Sequence, residues 1–327
     1  MIQQQAQGAV NGPPLSLGGK SYFLRAFLAT RPPFYVASIL PVLVGTAWAG
    51  AAFHRFDVPQ FVLALLVTMV AHAAANVFND VGDDVTGADP GNQNLIYPYT
   101  GGSRFIQAGL LTRAQMLRLA GGLALVAVLL GLALVALRGP WVIAFGVGGL
   151  ALGLFYSLPG VQLSGMGFGE LCIAIAFGVL PALGSVWLQA GTIDIGAVLL
   201  SLPVAAWVAA ILLINEVPDR DSDASAGKRT LVVRWGIGGT RWIYSGLTVV
   251  ALGASLAGVW LRALPMWYAV IAVLLAAWGF KAAAGIAPVG QARAQLKRSI
   301  EFTLAIHAVG GALLIGAILF TLFKPAG

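Results

Sequence analysis

The chain has 327 residues, of which 59% are hydrophobic and 9% are charged, and its formal net charge is +7. A soluble domain carries about a quarter charged residues, so this composition excludes an ordinary soluble protein. The basic residues lie mainly in loops beside apolar segments, which indicates membrane topology and anionic lipid headgroups, and we expect no nucleic-acid partner.

The predicted elements begin with a polar tail and continue as a series of apolar segments. Residues 1–20 are polar and rich in Gly and Pro, which predicts a disordered N-terminal tail. Residues 21–327 form a single transmembrane domain, because their apolar segments reach the roughly 20 residues that span a bilayer. We predict about nine spans: 33–53, 58–79, 115–137, 141–157, 168–190, 196–214, 243–262, 264–284 and 299–323. The predicted fold class is therefore all-α, a polytopic membrane protein.

The basic residues are distributed unequally between the two sides of these spans. If the N-terminus is cytoplasmic, fifteen of the nineteen Lys and Arg residues fall on the cytoplasmic side. The exceptions are Arg55, Arg138, Arg262 and Lys324. Because cytoplasmic loops carry the excess of Lys and Arg, we predict a multi-pass protein of the cell inner (cytoplasmic) membrane, with the N-terminus and both acidic segments on the cytoplasmic side.

Two short acidic segments follow the second and the sixth predicted spans. Together, "NVFNDVGDDVTGAD" and "NEVPDRDSDASAGKRTL" hold eight of the twelve acidic residues. We assign them to two loops, 76–114 and 215–242. The same spacing occurs in both segments: Asn76, Asp80 and Asp84 in the first, and Asn215, Asp219 and Asp223 in the second. This repetition predicts two pseudo-repeated four-helix halves, with a ninth helix added.

Each triplet would form one stripe on a helix, because positions i, i+4 and i+8 drift by only about 40° per step. Asp83 falls inside the first stripe. Pro218 weakens the helix beside the second stripe, so Asp221 turns inward only if the backbone is irregular there. Two facing stripes would repel each other unless cations lay between them. A solvated salt-bridge surface is the alternative, and the matching register of the two segments disfavours it.

The ligand types indicate which cation these stripes would bind. Oxygen ligands without His or Cys suit Mg²⁺, Mn²⁺ or Ca²⁺. A calcium-binding EF-hand loop is excluded, because Ala224 replaces the required Gly and Thr230 replaces the bidentate Glu. Mg²⁺ with phosphate oxygens fits better. Lys228 and Arg229 follow the second motif, and Arg104 follows two glycines that allow a backbone to approach a ligand closely.

The two acidic motifs on a nine-span scaffold resemble the UbiA-type intramembrane prenyltransferase superfamily. Within it, the sequence is most similar to the 1,4-dihydroxy-2-naphthoate prenyltransferase branch of menaquinone synthesis. Further segments that carry the resemblance are "RPPFYVASILPVLVGTA", "GGSRFIQAGLLT", "YSLPG" and "GFGELCIAIAFGVLPALGSVWLQAG". The resemblance covers about residues 25–320.

The resemblance implies an enzyme whose acidic motifs hold two Mg²⁺ ions that bind the diphosphate of a polyprenyl donor, while the prenyl tail lies in a tunnel open to lipid. The catalytic acids it implies are Asp80, Asp84, Asp219 and Asp223. One metal would be held by Asn76, Asp80 and Asp83 or Asp84, and the other by Asn215, Asp219 and Asp223. The diphosphate would be bound by Arg104, Lys228 and Arg229, and Tyr156 would line the acceptor side. Asp89 matches a further acidic position of the branch.

The function implied is Mg²⁺-dependent transfer of a polyprenyl group to a small aromatic acceptor, either 1,4-dihydroxy-2-naphthoate or a related quinone precursor. The second motif departs from the branch, because Glu216 and Pro218 stand where Asn and Arg are usual, and this leaves the acceptor open. The alternatives are a UbiA-type enzyme with another acceptor, a membrane terpene cyclase or phosphohydrolase, and a divalent-cation transporter. Glu170 and Glu301 are candidates for acceptor contact, and His72 for an interhelical hydrogen bond.

Overall fold

The computed structural model describes residues 12–158 and 160–323, and within these ranges the chain is helical and contains no strand. The main helices are α1 (Tyr22–Ala29), α2 (Val36–Phe53), α3 (Val58–Thr86), α4 (Arg113–Arg138), α5 (Val142–Ser157), α6 (Gly169–Ala190), α7 (Ile195–Ser225), α8 (Leu231–Trp260), α9 (Tyr268–Ala284) and α10 (Val289–Phe320). Helix α6 contains a π-helical turn at Ile175–Val179. Short single turns occur at Leu15–Gly19, Pro32–Tyr35, Ala88–Gly91, Leu163–Met166 and Thr321–Phe323.

The lengths and hydropathies of these helices confirm the predicted all-α polytopic membrane fold. In the described chain, seven helical segments are long and apolar enough to cross a membrane. Two more predicted spans correspond to shorter apolar helices, α5 with 16 residues and α9 with 17. The total of nine spans stays a prediction. Residues 1–11 of the predicted disordered tail lie outside the described residues, as does Lys324.

The two acidic motifs lie on helices that continue beyond their apolar parts. Helices α3 and α7 have 29 and 31 residues, which at 1.5 Å per residue is roughly 45 Å, against a hydrocarbon thickness of about 30 Å. Residues 76–86 and 215–225, assigned to loops from the sequence, are therefore helical, and α8 begins within the second predicted loop at Leu231. Pro218 lies inside α7 without ending it, and Asp221 is exposed.

The core of the bundle is built around α7, whose membrane-spanning part is 78% buried. Its buried side chains include Ala205, Ala206, Ala209 and Ala210, and small side chains allow neighbouring backbones to approach closely. At Gly178 of α6, an added Cβ would lie 2.4 Å from the Cα of Ala205, so this helix contact requires glycine. The acidic ends of α3 and α7 lie at the same end of the bundle, because Lys228, in the turn after α7, contacts Asp83 on α3.

The connection between α3 and α4 contains a segment that we term the bridging loop, residues 92–104. The guanidinium group of Arg293 on α10 donates hydrogen bonds to the backbone oxygens of Asn94 at 3.3 Å and Leu95 at 2.6 Å. The hydroxyl of Tyr99 donates to the carboxylate of Glu301 on the same helix at 3.3 Å. The bridging loop therefore reaches from the first half of the chain to the last helix, across the end of the bundle that carries the acidic motifs.

Candidate active site

A single buried lysine joins the two acidic motifs. The Nζ atom of Lys228 contacts a carboxylate oxygen of Asp83 on α3 and lies 3.4 Å from a carboxylate oxygen of Asp223 on α7. The backbone N–H of Lys228 donates to the backbone oxygen of Asp223 at 2.9 Å, so the turn after α7 returns this lysine over the end of its own helix. Burial lowers the pKa of Lys228, but the charges of Asp83 and Asp223 outweigh burial and hold this pKa above its ordinary value. The geometry is therefore suited to positive charge between the motifs.

The middle acid of each triplet is bound by the bridging loop. Both carboxylate oxygens of Asp80 accept hydrogen bonds from the backbone N–H of Ser103, at 3.3 and 3.2 Å. Asp219 accepts one from the side-chain amide of Asn92 at 2.6 Å and another from the backbone N–H of Gly101 at 3.2 Å. One loop thus contacts the corresponding aspartates of the two halves.

The last two acids of the first motif face different neighbours. Asp84 accepts hydrogen bonds from Nε and Nη2 of Arg113 at 2.8 and 2.6 Å, and from the side-chain amide of Gln107 at 3.2 Å. Successive residues on a helix are about 100° apart, so Asp83 and Asp84 cannot share one face. The structure brings Asp83 to Lys228 and holds Asp84 against the start of α4.

The other predicted residues around the motifs differ in burial. Asp89 is buried, and burial together with the charges of neighbouring aspartates raises the pKa of its carboxyl group well above the ordinary value. The guanidinium group of half-buried Arg104 donates to the backbone oxygen of Asp89. Arg229 is exposed. Of the three residues predicted to bind diphosphate, only Lys228 is buried between the motifs.

A cavity of about 150 Å³ adjoins the acidic ends of α3 and α7. Its polar lining includes Asn76, Asn215, Tyr156 and Arg31, and most of its other lining side chains are apolar. The side-chain amide of Asn76 donates to the backbone oxygen of Thr30 at 3.1 Å. The Oδ1 atom of Asn215 is buried and has no hydrogen-bond partner in the described part of the chain. A buried polar atom without a partner is unfavourable, so this oxygen is suited to receive a ligand.

Two residues of the site, Arg31 and Asn92, are absent from the sequence-based prediction. The Nη2 atom of Arg31 donates to the backbone oxygen of Tyr99 at 3.0 Å, and its Cζ lies 4.3 Å from the ring centroid of Phe34. A signal for Arg31 is present in the sequence, because it is a basic residue at the start of an apolar span, directly before two prolines. Asn92 has no such signal, since neither its spacing nor its neighbours repeat in the second half.

The ionisable residues outside the motifs have different environments. Nδ1 of His72 lies 2.7 Å from the hydroxyl of Ser38 on α2, which confirms the predicted interhelical hydrogen bond. The carboxyl groups of Glu170 and Glu216 are buried, and each has one oxygen without a hydrogen-bond partner among the residues described. Glu301 is exposed and lies 3.7 Å from Lys297 on the outside of the bundle.

The chemistry of the motif residues fits a divalent cation that prefers oxygen ligands. Carboxylates from both helices lie around one end of the bundle, and the unpartnered oxygen of Asn215 adds a neutral ligand. Within the described ranges, no three acidic, His or Cys side chains already stand in coordinating geometry; Lys228 and the N–H groups of the bridging loop contact the carboxylates of the motifs. An oxygen-only set of this kind suits Mg²⁺ better than zinc or copper.

The sequence is similar to one protein family and to several curated proteins. Residues 38–305 match the model of the UbiA prenyltransferase family. The 1,4-dihydroxy-2-naphthoate octaprenyltransferase of Mycobacterium tuberculosis is 33% identical over 224 residues, which cover 68% of this chain and 73% of that protein. The enzyme of the same name from Bacillus subtilis is 29% identical over 71% of this chain and 70% of its own length.

Solved structures show the same architecture. A UbiA homolog from Archaeoglobus fulgidus bound to GPP and Mg²⁺ matches with a TM-score of 0.62 and 17% identity, over 89% of this chain and 99% of that one. The apo structure of a UbiA homolog from Aeropyrum pernix K1 matches with a TM-score of 0.66 and 19% identity, over 88% and 97% of the two chains. At these identities the likeness concerns the fold.

Proposed function

The chain belongs to the UbiA prenyltransferase family and is a membrane-embedded prenyltransferase, and on this basis we propose that it transfers a polyprenyl group from a polyprenyl diphosphate to 1,4-dihydroxy-2-naphthoate or a related quinone precursor. The names of its relatives from Mycobacterium tuberculosis and Bacillus subtilis support this class of acceptor. We also propose the inner (cytoplasmic) membrane as its location, with both acidic motifs on the cytoplasmic side, on the strength of the distribution of Lys and Arg.

The observation that carries the proposal is the ammonium group of Lys228 between Asp83 and Asp223, on the two motifs whose first residues, Asn76 and Asn215, line the cavity. A diphosphate needs positive charge around its oxygens, and Lys228 would supply it together with a divalent cation held by the carboxylates. An allylic chain needs apolar surroundings without water, and most of the cavity lining supplies those. The two requirements of a prenyl diphosphate are thus met next to each other.

The proposed cofactor is Mg²⁺, with two ions. Asn76, Asp80 and Asp83 or Asp84 would hold one ion, and Asn215, Asp219 and Asp223 the other. The contacts favour Asp83 over Asp84, because Asp84 already accepts three hydrogen bonds from Arg113 and Gln107. Bound there, Mg²⁺ would act as a Lewis acid that neutralises the leaving diphosphate.

The protein's own side chains would carry the remaining tasks. Lys228 and Arg104 donate to diphosphate oxygens while the C–O bond of the donor breaks and its electron pair leaves with the diphosphate, and exposed Arg229 binds at the outer edge. Tyr156 and Phe177 line the cavity, and their aromatic rings would stabilise the allylic cation there. A ring carbon of the acceptor then forms the new C–C bond, and loss of a proton, or of CO₂ from a carboxylated acceptor, restores aromaticity.

The test is a prenyl-transfer assay in membranes that contain the full chain. These membranes receive a polyprenyl diphosphate, Mg²⁺ and a panel of aromatic acceptors that includes 1,4-dihydroxy-2-naphthoate, and products are identified by mass spectrometry. We expect a C-prenylated naphthoquinol precursor, and none in membranes with the Asp80→Asn variant.

Three outcomes would contradict the proposal in whole or in part. Release of diphosphate without any prenylated acceptor would indicate a cyclase or phosphohydrolase. Flux of divalent cations into proteoliposomes, without prenyl turnover, would indicate a transporter. A product with another acceptor and none with the naphthoate would retain the prenyltransferase and overturn the acceptor.

A further inference from the structure

The side-chain amide of Asn92 makes a direct contact between the bridging loop and the second acidic motif. Its Nδ2 atom lies 2.6 Å from Oδ1 of Asp219, while the backbone N–H of Gly101 lies 3.2 Å from Oδ2 of the same carboxylate. Asn92 is 5% exposed, so water does not compete for this hydrogen bond. Hydrogen bonds to an ionised acceptor are about twice as strong as neutral ones, and two of them fix the orientation of the carboxylate.

The other face of the same loop binds the first motif. Ser103 donates its backbone N–H to both oxygens of Asp80, and both residues are buried. The loop can make both sets of contacts only because Gly101 and Gly102 adopt φ of +74° and +70°. A Cβ on Gly102 would lie 2.8 Å from a carboxylate oxygen of Asp80 and 2.8 Å from one of Asp89. Glycine at positions 101 and 102 therefore allows the loop to fit between the carboxylates of the two motifs.

The shape of the loop is also held by hydrogen bonds within the loop itself. The side chain of Asn92 accepts the backbone N–H of Asn94 at 3.0 Å, which orients its amide group toward Asp219. The backbone N–H of Ile96 donates to the hydroxyl of Thr100 at 2.8 Å, which closes the turn of the loop. Asn92 is consequently a preorganised donor, with both ends of its amide engaged.

These contacts leave coordination capacity on the carboxylates. An ionised Asp offers about four lone-pair positions on its two oxygens. Asp219 uses two of them for Asn92 and Gly101, which leaves two for a cation. Groups that hold a ligand in place typically contribute a factor of about 10 to 100 to metal affinity.

We propose that Asn92 is a positioning residue for the divalent-cation site, which acts by holding Asp219 in the orientation that binds the metal. This rests on the proposed function only in taking Asp219 as a metal ligand. Asn92 does not line the cavity, so its removal should change the metal requirement before it changes the chemistry of transfer.

The test measures metal binding apart from turnover. The purified full-length protein is titrated with Mg²⁺, and separately with Mn²⁺, and the half-saturating concentration is read from thermal unfolding and from the free Mn²⁺ signal in electron paramagnetic resonance. We expect Asn92→Ala to raise that concentration by about 10-fold or more. The matched control is Asn94→Ala, an exposed amide on the same loop whose backbone contacts stay intact, and it should change the value by less than twofold.

Repeating the Asn92→Ala substitution in a protein that already lacks the Asp219 carboxylate shows whether Asn92 acts through Asp219. In the Asp219→Asn protein, Asn92→Ala should change the residual metal affinity by less than twofold. If Asn92→Ala alone fails to fold, because the buried charge of Asp219 loses its partner, the double variant removes that charge and should fold again.

Four results separate the possible failures. Unchanged metal affinity in a folded Asn92→Ala protein overturns the role of Asn92 and leaves the metal site standing. Equal losses in Asn92→Ala and Asn94→Ala, or no recovery in the double variant, also overturn it. An unaltered protein that binds neither Mg²⁺ nor Mn²⁺ overturns the metal site of the proposed function itself, and the role of Asn92 with it.

Discussion

The two acidic motifs have the same spacing in the sequence but are used differently in the structure. In the second motif, the acid at position i+8, Asp223, lies beside Lys228. In the first motif, the residue at i+8 is Asp84, which binds Arg113 instead, and Asp83 at i+7 contacts Lys228. Counted from Asn76 along a helix, i+7 falls about 20° to one side of the starting direction and i+8 about 80° to the other. The register of a repeat thus indicates which helices face each other and leaves open which acid of the motif turns inward.

The difference follows from what each motif has as a neighbour. The first motif is followed by α4, whose first residue, Arg113, reaches back to Asp84. The second motif is followed by a short turn that places Lys228 on its own helix end. In the first motif, Arg113 therefore binds Asp84 outside the site. In the second motif, Lys228 lies beside Asp223 within the site.

The sharpest test of the shared feature is to neutralise the middle acid of each motif. Asp80→Asn and Asp219→Asn should each lower turnover by at least about 10³-fold, because a charge that stabilises the leaving diphosphate is lost. The matched controls are Asp57→Asn and Asp194→Asn, which cap the other ends of the same two helices and keep a good N-cap residue. Initial rates in membranes measure all four. A large loss in only one of the two middle acids would show that the halves do not contribute equally.

The next test compares Asp83 and Asp84, the two adjacent acids of the first motif that have different partners. Asp83→Asn should lower the rate by about 10²-fold, or about 2.7 kcal/mol of activation free energy, because Asp83 contacts Lys228 inside the site. Asp84→Asn should stay within about threefold, since it removes only a pair with Arg113, whose side chain is 53% exposed. The rates are compared at saturating Mg²⁺ and donor. Equal losses, or a larger loss for Asp84, would contradict the assignment made from the contacts.

The smallest expected effect is on stability and concerns Lys228, whose ammonium group joins the two acidic motifs. Lys228→Met should lower the free energy of unfolding by about 2 kcal/mol without Mg²⁺, because it leaves two carboxylates close together without a counter-charge. The loss is below that of a fully enclosed pair, since the side chain of Asp83 is 17% exposed. Mg²⁺ should restore part of the stability in a thermal unfolding experiment. Lys297→Met, at an exposed pair with Glu301, is the control, and a similar loss there would indicate a nonspecific effect of removing charge.

Much of the fold was predictable from the sequence because membrane spans follow from the length of apolar segments. The extents of α3 and α7 were not, since polar residues at the ends of these helices have the composition of loops. Pro218 was expected to weaken the helix, but α7 continues through it. The packing of the rest of α7 outweighs the destabilisation that an internal proline causes. Tertiary contacts that no local pattern encodes decide these boundaries.

The candidate site was predictable to a similar degree. Repetition identified the two motifs and the lysine that follows the second one. The choice between Asp83 and Asp84, and the role of Asn92, depend on which residue from a distant segment lies opposite, and that information exists only after the bundle has assembled. The roles of single residues in loops that do not repeat are therefore not predictable from the sequence.

The length of α3 and α7 has a consequence for how the reaction would end. These helices exceed the hydrocarbon thickness by roughly 15 Å, so their polar ends, which carry the acids, would reach the boundary with water, while the lining of the cavity is mostly apolar. The inorganic diphosphate would dissolve into the aqueous phase, and the prenylated ring would partition into the bilayer. The two products would leave through different solvents, and neither exit would obstruct the other.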